Sequence, residues 1–216
     1  AIAHDLKTPL TRLRNRVEQA LVDDDPEARR EALETTLEES NALIRTFDAL
    51  LMISRVEAGR AVTAADPVDV AEVAREVGEL YEPLAEDEGG GLTVEAEGVA
   101  LVRGHRELIA QALTNLVDNA LKHARRDDHG PTVRIVVRAE GRLVVVSVAD
   151  DGPGVPEPDR ARIFERFTRL EASRTTPGSG LGLALVAAVA RLHKGEIAVE
   201  DAAPGLRIVL SLPVAE

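Results

Sequence analysis

Leucine, isoleucine and valine follow one rhythm in the first quarter of this chain and another in the rest. Over residues 1 to 22, Ile2, Leu6, Leu10, Leu13, Val17 and Leu21 recur at steps of three and four, the period of an amphipathic helix. The stretch DDDPE breaks that period. From Pro26 to Gly59 a second helix is predicted, carrying Leu33, Leu37, Ile44, Phe47, Leu50, Leu51 and Met52, with proline near its start and glycine just past its end. A short connection makes the pair an antiparallel hairpin. Two helices alone cannot enclose a core, so the stripe predicts pairing with a second copy into a four-helix bundle.

After a linker at residues 60–68 (RAVTAADPV) the texture changes. A helix is predicted from about 69 to 86, then a glycine break at 89–91, strands near LTVEA and ALVRG, and a helix from about 105 to 124. TVRIVVRAE and RLVVVSVAD alternate and are rich in β-branched residues, as the two arms of a hairpin do. A loop-rich region spans about 150 to 180, followed by the apolar helix LGLALVAAVARLH and the strands EIAVED and LRIVLSL. The expected fold is α+β: an N-terminal antiparallel helical hairpin that dimerises as a bundle (1–59), the linker (60–68), and an α/β sandwich with a mixed sheet and helices on one face (69–216).

Composition narrows the chemistry. Apolar residues are 44% and aromatics 2% of the 216, so the core is built from Leu, Val, Ile and Ala. The net charge of -12 repels phosphate backbones and speaks against nucleic acid as the partner. With no cysteine, thiolate catalysis, disulfides and Cys-ligated metals are excluded. No apolar run is long enough to span a bilayer and no signal-peptide pattern is present. The only methionine is Met52, so the chain reads as a fragment that does not itself enter the membrane, with an anchoring segment upstream left open.

Five places carry candidate chemistry. In the first helix Asp5 can hold one imidazole nitrogen of His4 as N–H and leave the other a nucleophile. Thr8 lies one turn on, able to orient a water, and Pro9 removes a helical hydrogen bond beside them. A surface histidine and an accidental kink are the plainer alternatives. In LTNLVDNALKHA, Asn115 and Asn119 share a helical face with Lys122 a turn further, amide oxygens and an ammonium suited to Mg²⁺ and phosphate. Two surface asparagines would look the same.

In VADDGPGVP, Asp150 ends a strand where it can accept from an exocyclic amine such as that of adenine, and Gly152 and Gly154 let a ligand approach the backbone. In PGSGLGLALV, Gly178, Gly180 and Gly182 open a helix whose N-terminal N–H groups suit phosphate, although the spacing is neither a P-loop nor a dinucleotide fingerprint. Between them lies a segment with Arg166, Arg169 and Arg174 and the anchors Phe164 and Phe167, either a lid or a plain surface loop. His105, His129 and His193 fit no catalytic position and read as surface or packing residues.

Taken in order, HDLKTPL, NLVDNALKHA, DDGPGVP, IFERFTRL and GSGLGL resemble the H, N, G1, F and G2 boxes of the sensor histidine kinases of two-component systems. The resemblance covers essentially the whole chain. It implies an ATP-dependent autokinase: His4 attacks the γ-phosphate of ATP with Asp5 as activating acid, and the phosphoryl group passes to an aspartate of a response regulator. It further implies that Thr8 aids hydrolysis of that phospho-aspartate, that Asn119 ligates Mg²⁺ with Asn115 beside it, and that Lys122 neutralises phosphate. Asp150 would read adenine, Gly152 and Gly154 shape the pocket, Gly178, Gly180 and Gly182 flank lid and phosphates, and Arg169 reach the phosphates from the lid. By the same resemblance the chain is a homodimer through residues 1–59, cytoplasmic, with an inner-membrane anchor upstream. Asp5 where glutamate is commoner, His123 in an aromatic place, and no Ser or Thr after Gly205 are its departures from the family pattern. Competing readings are a DNA-engaging ATPase of the same Bergerat type and a non-catalytic module that docks a regulator.

Overall fold

The structure, a computed structural model, describes residues 2–22, 25–30, 32–37, 40, 44, 51, 54, 66–124, 129–166, 168, 170 and 180–215, with side chains in the first helix from Thr11 onward except Arg12. The chain divides into two compact units, Ala1–Leu51 and Met52–Glu216.

In the first unit, helix α1 spans Ile2–Val22 as the leucine spacing predicts. Asp25 then starts the second helix: its Oδ1 accepts from the Glu27 N–H at 2.9 Å and its carbonyl from the Arg29 N–H at 3.0 Å. Pro26 follows in the first helical position, where its missing N–H costs nothing. Residues 26–30 and 32–37 are helical, as are 40, 44, 51 and 54; the rest of the expected helix to Gly59 lies outside the described residues. Ala20 is buried, but Leu21, Val22, Leu33, Leu37, Ile44 and Leu51 are exposed in the single chain.

The second unit begins with a small antiparallel sheet, β1 (Asp66–Asp69) against β3 (Leu101–Gly104). The sequence did not suggest β1, because DPVD is four residues long, holds a proline and has no alternation to read. Asp69 both ends β1 and caps helix α2 (Val70–Asp87), its Oδ1 accepting from the N–H groups of Ala71 and Ala100, each at 3.0 Å. The large sheet runs β2-β4-β5-β7-β6, comprising β2 (Gly91–Ala96), β4 (Thr132–Glu140), β5 (Leu143–Asp150), β6 (Glu196–Asp201) and β7 (Leu206–Pro213). The β2–β4 pair is parallel and the others antiparallel, which makes the sheet mixed as expected.

Register lines up apolar rows across the sheet, Val94–Ile135–Val148–Ile208–Val199 and Ala96–Val137–Val146–Leu210–Ile197. Helices α2, α3 (Arg106–Ala124) and α4 (Gly182–Leu192) cover that face. The other face carries Arg134 and Arg207, ion-paired with Glu95 and Glu200 on neighbouring strands. Leu113, Leu116 and Val117 of α3 are fully buried, each such side chain worth about 1.5–3 kcal/mol of transfer free energy. Helix α4 buries every residue from Ala184 to Ala190, as a helix apolar on all sides must.

Candidate functional site

The site grows from the last residue of β5. Side chains of Val144, Val146 and Val148 enter the core, and alternation carries Asp150 to the same helix-covered face. A carboxylate there needs donors, and its Oδ1 accepts the Gly152 N–H at 2.9 Å and the Leu206 N–H at 3.3 Å. Gly152 belongs where it is because a Cβ would lie 2.5 Å from the His123 carbonyl oxygen and 3.0 Å from the Ala124 Cα, at the C-terminal end of α3. Gly205 has φ +102, and a Cβ on it would run into the Asp150 carbonyl oxygen. Gly154 lies against Gly205 as well. Backbone N–H groups from two segments thus converge on one carboxylate, with the end of α3 packed against the turn, where an acceptor can select a ligand amine.

Helix α3 supplies the second half. Its apolar positions face α2, α4 and the sheet, which leaves Asn115, Asp118, Asn119 and Lys122 along its remaining side, with both asparagines half-buried. Gly182, the first residue of α4, is placed so that a Cβ would stand 3.9 Å from the Asn115 amide oxygen. The start of α4 is anchored by buried Leu181 after Gly180 at φ 69, and no side chain caps it. Its first N–H groups therefore open beside Asn115, an arrangement suited to an anion.

Lys122 is ion-paired with Asp118 at 2.5 Å, each side chain being 44% exposed. Such a pair is worth about 0–1 kcal/mol, little enough for the ammonium to exchange Asp118 for a polyphosphate. For a cation the donor set is two amide oxygens, and no cluster of three His, Cys, Asp or Glu occurs among the described residues. Amide oxygens fit Mg²⁺, a hard ion that keeps waters and shares phosphate oxygens instead of needing a full protein cage.

Among the described residues the structure brings together Asp150 with Gly152, Gly154 with Gly205, and Asn115 with Gly182, and sets Asn119 and Lys122 on the same helix as Asn115. His4, Asp5 and Thr8 are on α1, their side chains outside the description; Arg169, Arg174, Phe167 and Gly178 lie outside the described residues. Among the described residues of the segment before α4, Ile163, in a short 3₁₀ turn (Arg162–Phe164) that packs on α4, is buried, whereas Phe164, expected as an anchor, is half-buried. The Gly205–Leu206 contact was not legible, because β7 brings it to Asp150 from 56 residues away. The only local signal was the Pro-Gly turn before an alternating strand.

The far end of the α3–α4 pair holds a buried histidine. The His193 Nδ1–H donates to the Val189 carbonyl at 2.8 Å, and its Nε2 accepts the His105 N–H at 3.1 Å, so the ring is held as one neutral tautomer. Burial lowers its pKa from the ordinary 6.5, opposed by the Val189 hydrogen bond and reinforced by His105, whose ring meets it edge-on at 6.2 Å. Gly104 leaves room for the His193 ring, since a Cβ there would run into its Cδ2 and Nε2.

Comparison with known proteins places these features. Residues 1–59 match the His Kinase A (phospho-acceptor) domain, and residues 104–216 match the histidine kinase-, DNA gyrase B-, and HSP90-like ATPase family. The chain is 35% identical to the sensor protein IrlS of Burkholderia pseudomallei over 95% of its own length and 44% of that protein. Of solved structures, the Acinetobacter baumannii histidine kinase AdeS is 21% identical with TM-score 0.79, covering 99% of this chain and 98% of that one. Full-length ShkA, solved in complex with AMPPNP, is 26% identical with TM-score 0.72 over 95% of this chain and 43% of its own. The chain spans about half the length of the curated relatives it matches.

Proposed function

Because this chain belongs to the sensor histidine kinases of two-component signalling, we propose that it is an ATP-dependent autokinase core that phosphorylates His4 and passes the phosphoryl group to an aspartate of a response regulator. The observation that carries this is the presence, in one chain and in this order, of a phospho-acceptor domain and an ATPase domain. The helical hairpin (1–59) supplies the acceptor, the residues from 60 up to β1 the connection in place of the expected 60–68, and the sheet unit from β1 onward binds the nucleotide.

In this reading a ring nitrogen of His4 attacks the γ-phosphorus, the bond to the β,γ-bridging oxygen breaks, and ADP leaves. Asp5 accepts a hydrogen bond from the other ring N–H, fixing the tautomer and stabilising the charge that develops on the ring. Asp150 accepts from the adenine amine, in a corner lined by Gly152 and Gly154. Asn119, with Asn115 beside it, holds Mg²⁺, whose role is to neutralise charge on the phosphates. Lys122 exchanges Asp118 for phosphate, the N–H groups after Gly180 and at Gly182 face it, and Gly178 and Arg169 act from the lid. Thr8 orients water for hydrolysis of the regulator's phospho-aspartate.

The exposed Leu33, Leu37 and Ile44 support a homodimer through residues 1–59, since a single copy leaves them in water. The described residues contain no helix long and apolar enough to cross a membrane. A cytoplasmic place for this chain and a membrane anchor outside it rest on the relatives' names as sensor proteins. Incubation with γ-labelled ATP and Mg²⁺ tests the reading: acid-labile, base-stable label appears on the parent and is absent from His4→Gln. No label on a parent that binds nucleotide would contradict the autokinase claim.

A further inference from the structure

The β4–β5 hairpin continues one step past its last backbone pair by means of a side chain. Val133 pairs with Asp150, so the next residues outward, Thr132 and Asp151, stand opposite one another. There the Thr132 N–H donates to Oδ1 of Asp151 at 3.0 Å, a carboxylate doing what a strand carbonyl does elsewhere in the ladder. The chain is thereby released from the sheet at Asp151 and free to turn into Gly152 while the strands stay fastened. The two adjacent carboxylates divide the work: Asp150 takes the N–H groups of Gly152 and Leu206, and Asp151 takes that of Thr132.

Both ends of the connection from α3 to β4 are held by this turn. Gly152 lies on the His123 carbonyl and the Ala124 Cα at one end, and Asp151 binds Thr132 at the other, with Oδ2 3.8 Å from Nδ1 of His129. The Gly91 N–H donates to the Pro131 carbonyl at 2.9 Å, which ties the same connection to β2. Asn119 and Lys122 lie on the last turns of α3, immediately before it. The separation between Asp150 and the polar side of α3 is therefore set by how residues 150–152 sit on both ends of that connection.

We propose that Asp151 is a positioning residue of the nucleotide site: by holding Thr132 it fixes Asp150, which faces the base, relative to Asn119 and Lys122, which face the phosphates. This rests on the nucleotide-binding reading above. Calorimetric titration of the 216-residue chain with AMPPNP tests it in the parent, Asp151→Ala, Asp151→Asn and Thr132→Pro. Loss of the acceptor in Asp151→Ala raises Kd roughly fivefold, the worth of one hydrogen bond. Asp151→Asn keeps Oδ1 as acceptor and stays within about twofold of the parent, a rescue that a requirement for the negative charge would not give. Thr132→Pro removes the donor at the first position of a strand, where proline is tolerated, and weakens binding as Asp151→Ala does. The two changes combined weaken it no further than the weaker single variant. Asp151→Ala binding like the parent, or Asp151→Asn as weak as Asp151→Ala, overturns the proposal. If Asp151→Ala does not fold, weakened Thr132→Pro beside a normal Asp151→Asn supports it, and any other result for that pair overturns it. A parent chain that does not bind AMPPNP overturns the nucleotide reading itself.

Discussion

Leu21, Val22, Leu33 and Leu37 of the helical unit are between 49% and 80% exposed, while Leu113, Leu116, Leu210 and Leu212 of the sheet unit are at most 1% exposed. Aliphatic side chains are used in opposite ways. The sheet unit closes its own core, so its site can be built from fixed backbone: Gly152, Gly154 and Gly205 pressed around Asp150. The helical unit leaves its stripe open for the proposed pairing with a second copy, and the proposed acceptor His4 belongs to its first helix. A site made of close backbone contacts needs a finished core behind it, whereas a lone acceptor side chain needs only a helix to present it.

The largest expected effect follows from the core itself. Leu113→Ala costs about 2–5 kcal/mol in the sheet unit, whereas Leu37→Ala, 64% exposed, changes single-chain stability by under about 0.5 kcal/mol and weakens self-association instead. The sole tyrosine, Tyr81 on α2, lets urea unfolding of the sheet unit be followed separately, with sedimentation reporting the dimer. Gly205→Ala comes next, at about 1–3 kcal/mol for a side chain in left-handed backbone that also meets the Asp150 carbonyl. It lowers the urea midpoint of the Tyr81 transition and leaves far-UV helicity of the first unit in place. Asp69→Ala follows at about 1 kcal/mol, since the cap of α2 loses its acceptor.

The pH dependence separates the units further. His193 has its folded pKa below the ordinary 6.5 because it is buried, so the folded state binds fewer protons than the unfolded one. Its contribution to the sheet unit is complete above 6.5 and is lost as pH falls through the window between that value and the lower folded one. His105 is the group that acts on it across the contact. In His193→Gln this part of the acid sensitivity disappears from the Tyr81 transition, and a parent and variant with parallel pH profiles would contradict the assignment. Asp118→Asn is the smallest change, under about 0.5 kcal/mol, because its pair with Lys122 is solvent-exposed.

Legibility in the sequence followed the same division. Helix α1 and the strands β4, β5 and β7 were readable because a buried face imposes a period on the residues that make it. Strand β1 was not, because four residues with a proline carry no period and their partner β3 lies 32 residues further on at closest. Asp150 was readable as a polar residue ending an apolar strand. Leu206, Asp151 and the His193–His105 contact were not, because each is defined by a backbone N–H brought from a distant segment, and such donors leave no trace in residue type.

In the proposed reaction the two units divide the work, with the acceptor in one and the nucleotide site in the other. AMPPNP titration of the parent, His4→Gln and Asp150→Asn, side by side, tests that division most directly. His4→Gln is expected to bind as the parent does, and Asp150→Asn to lose saturable binding. Weakened binding in His4→Gln, or full affinity in Asp150→Asn, would contradict it.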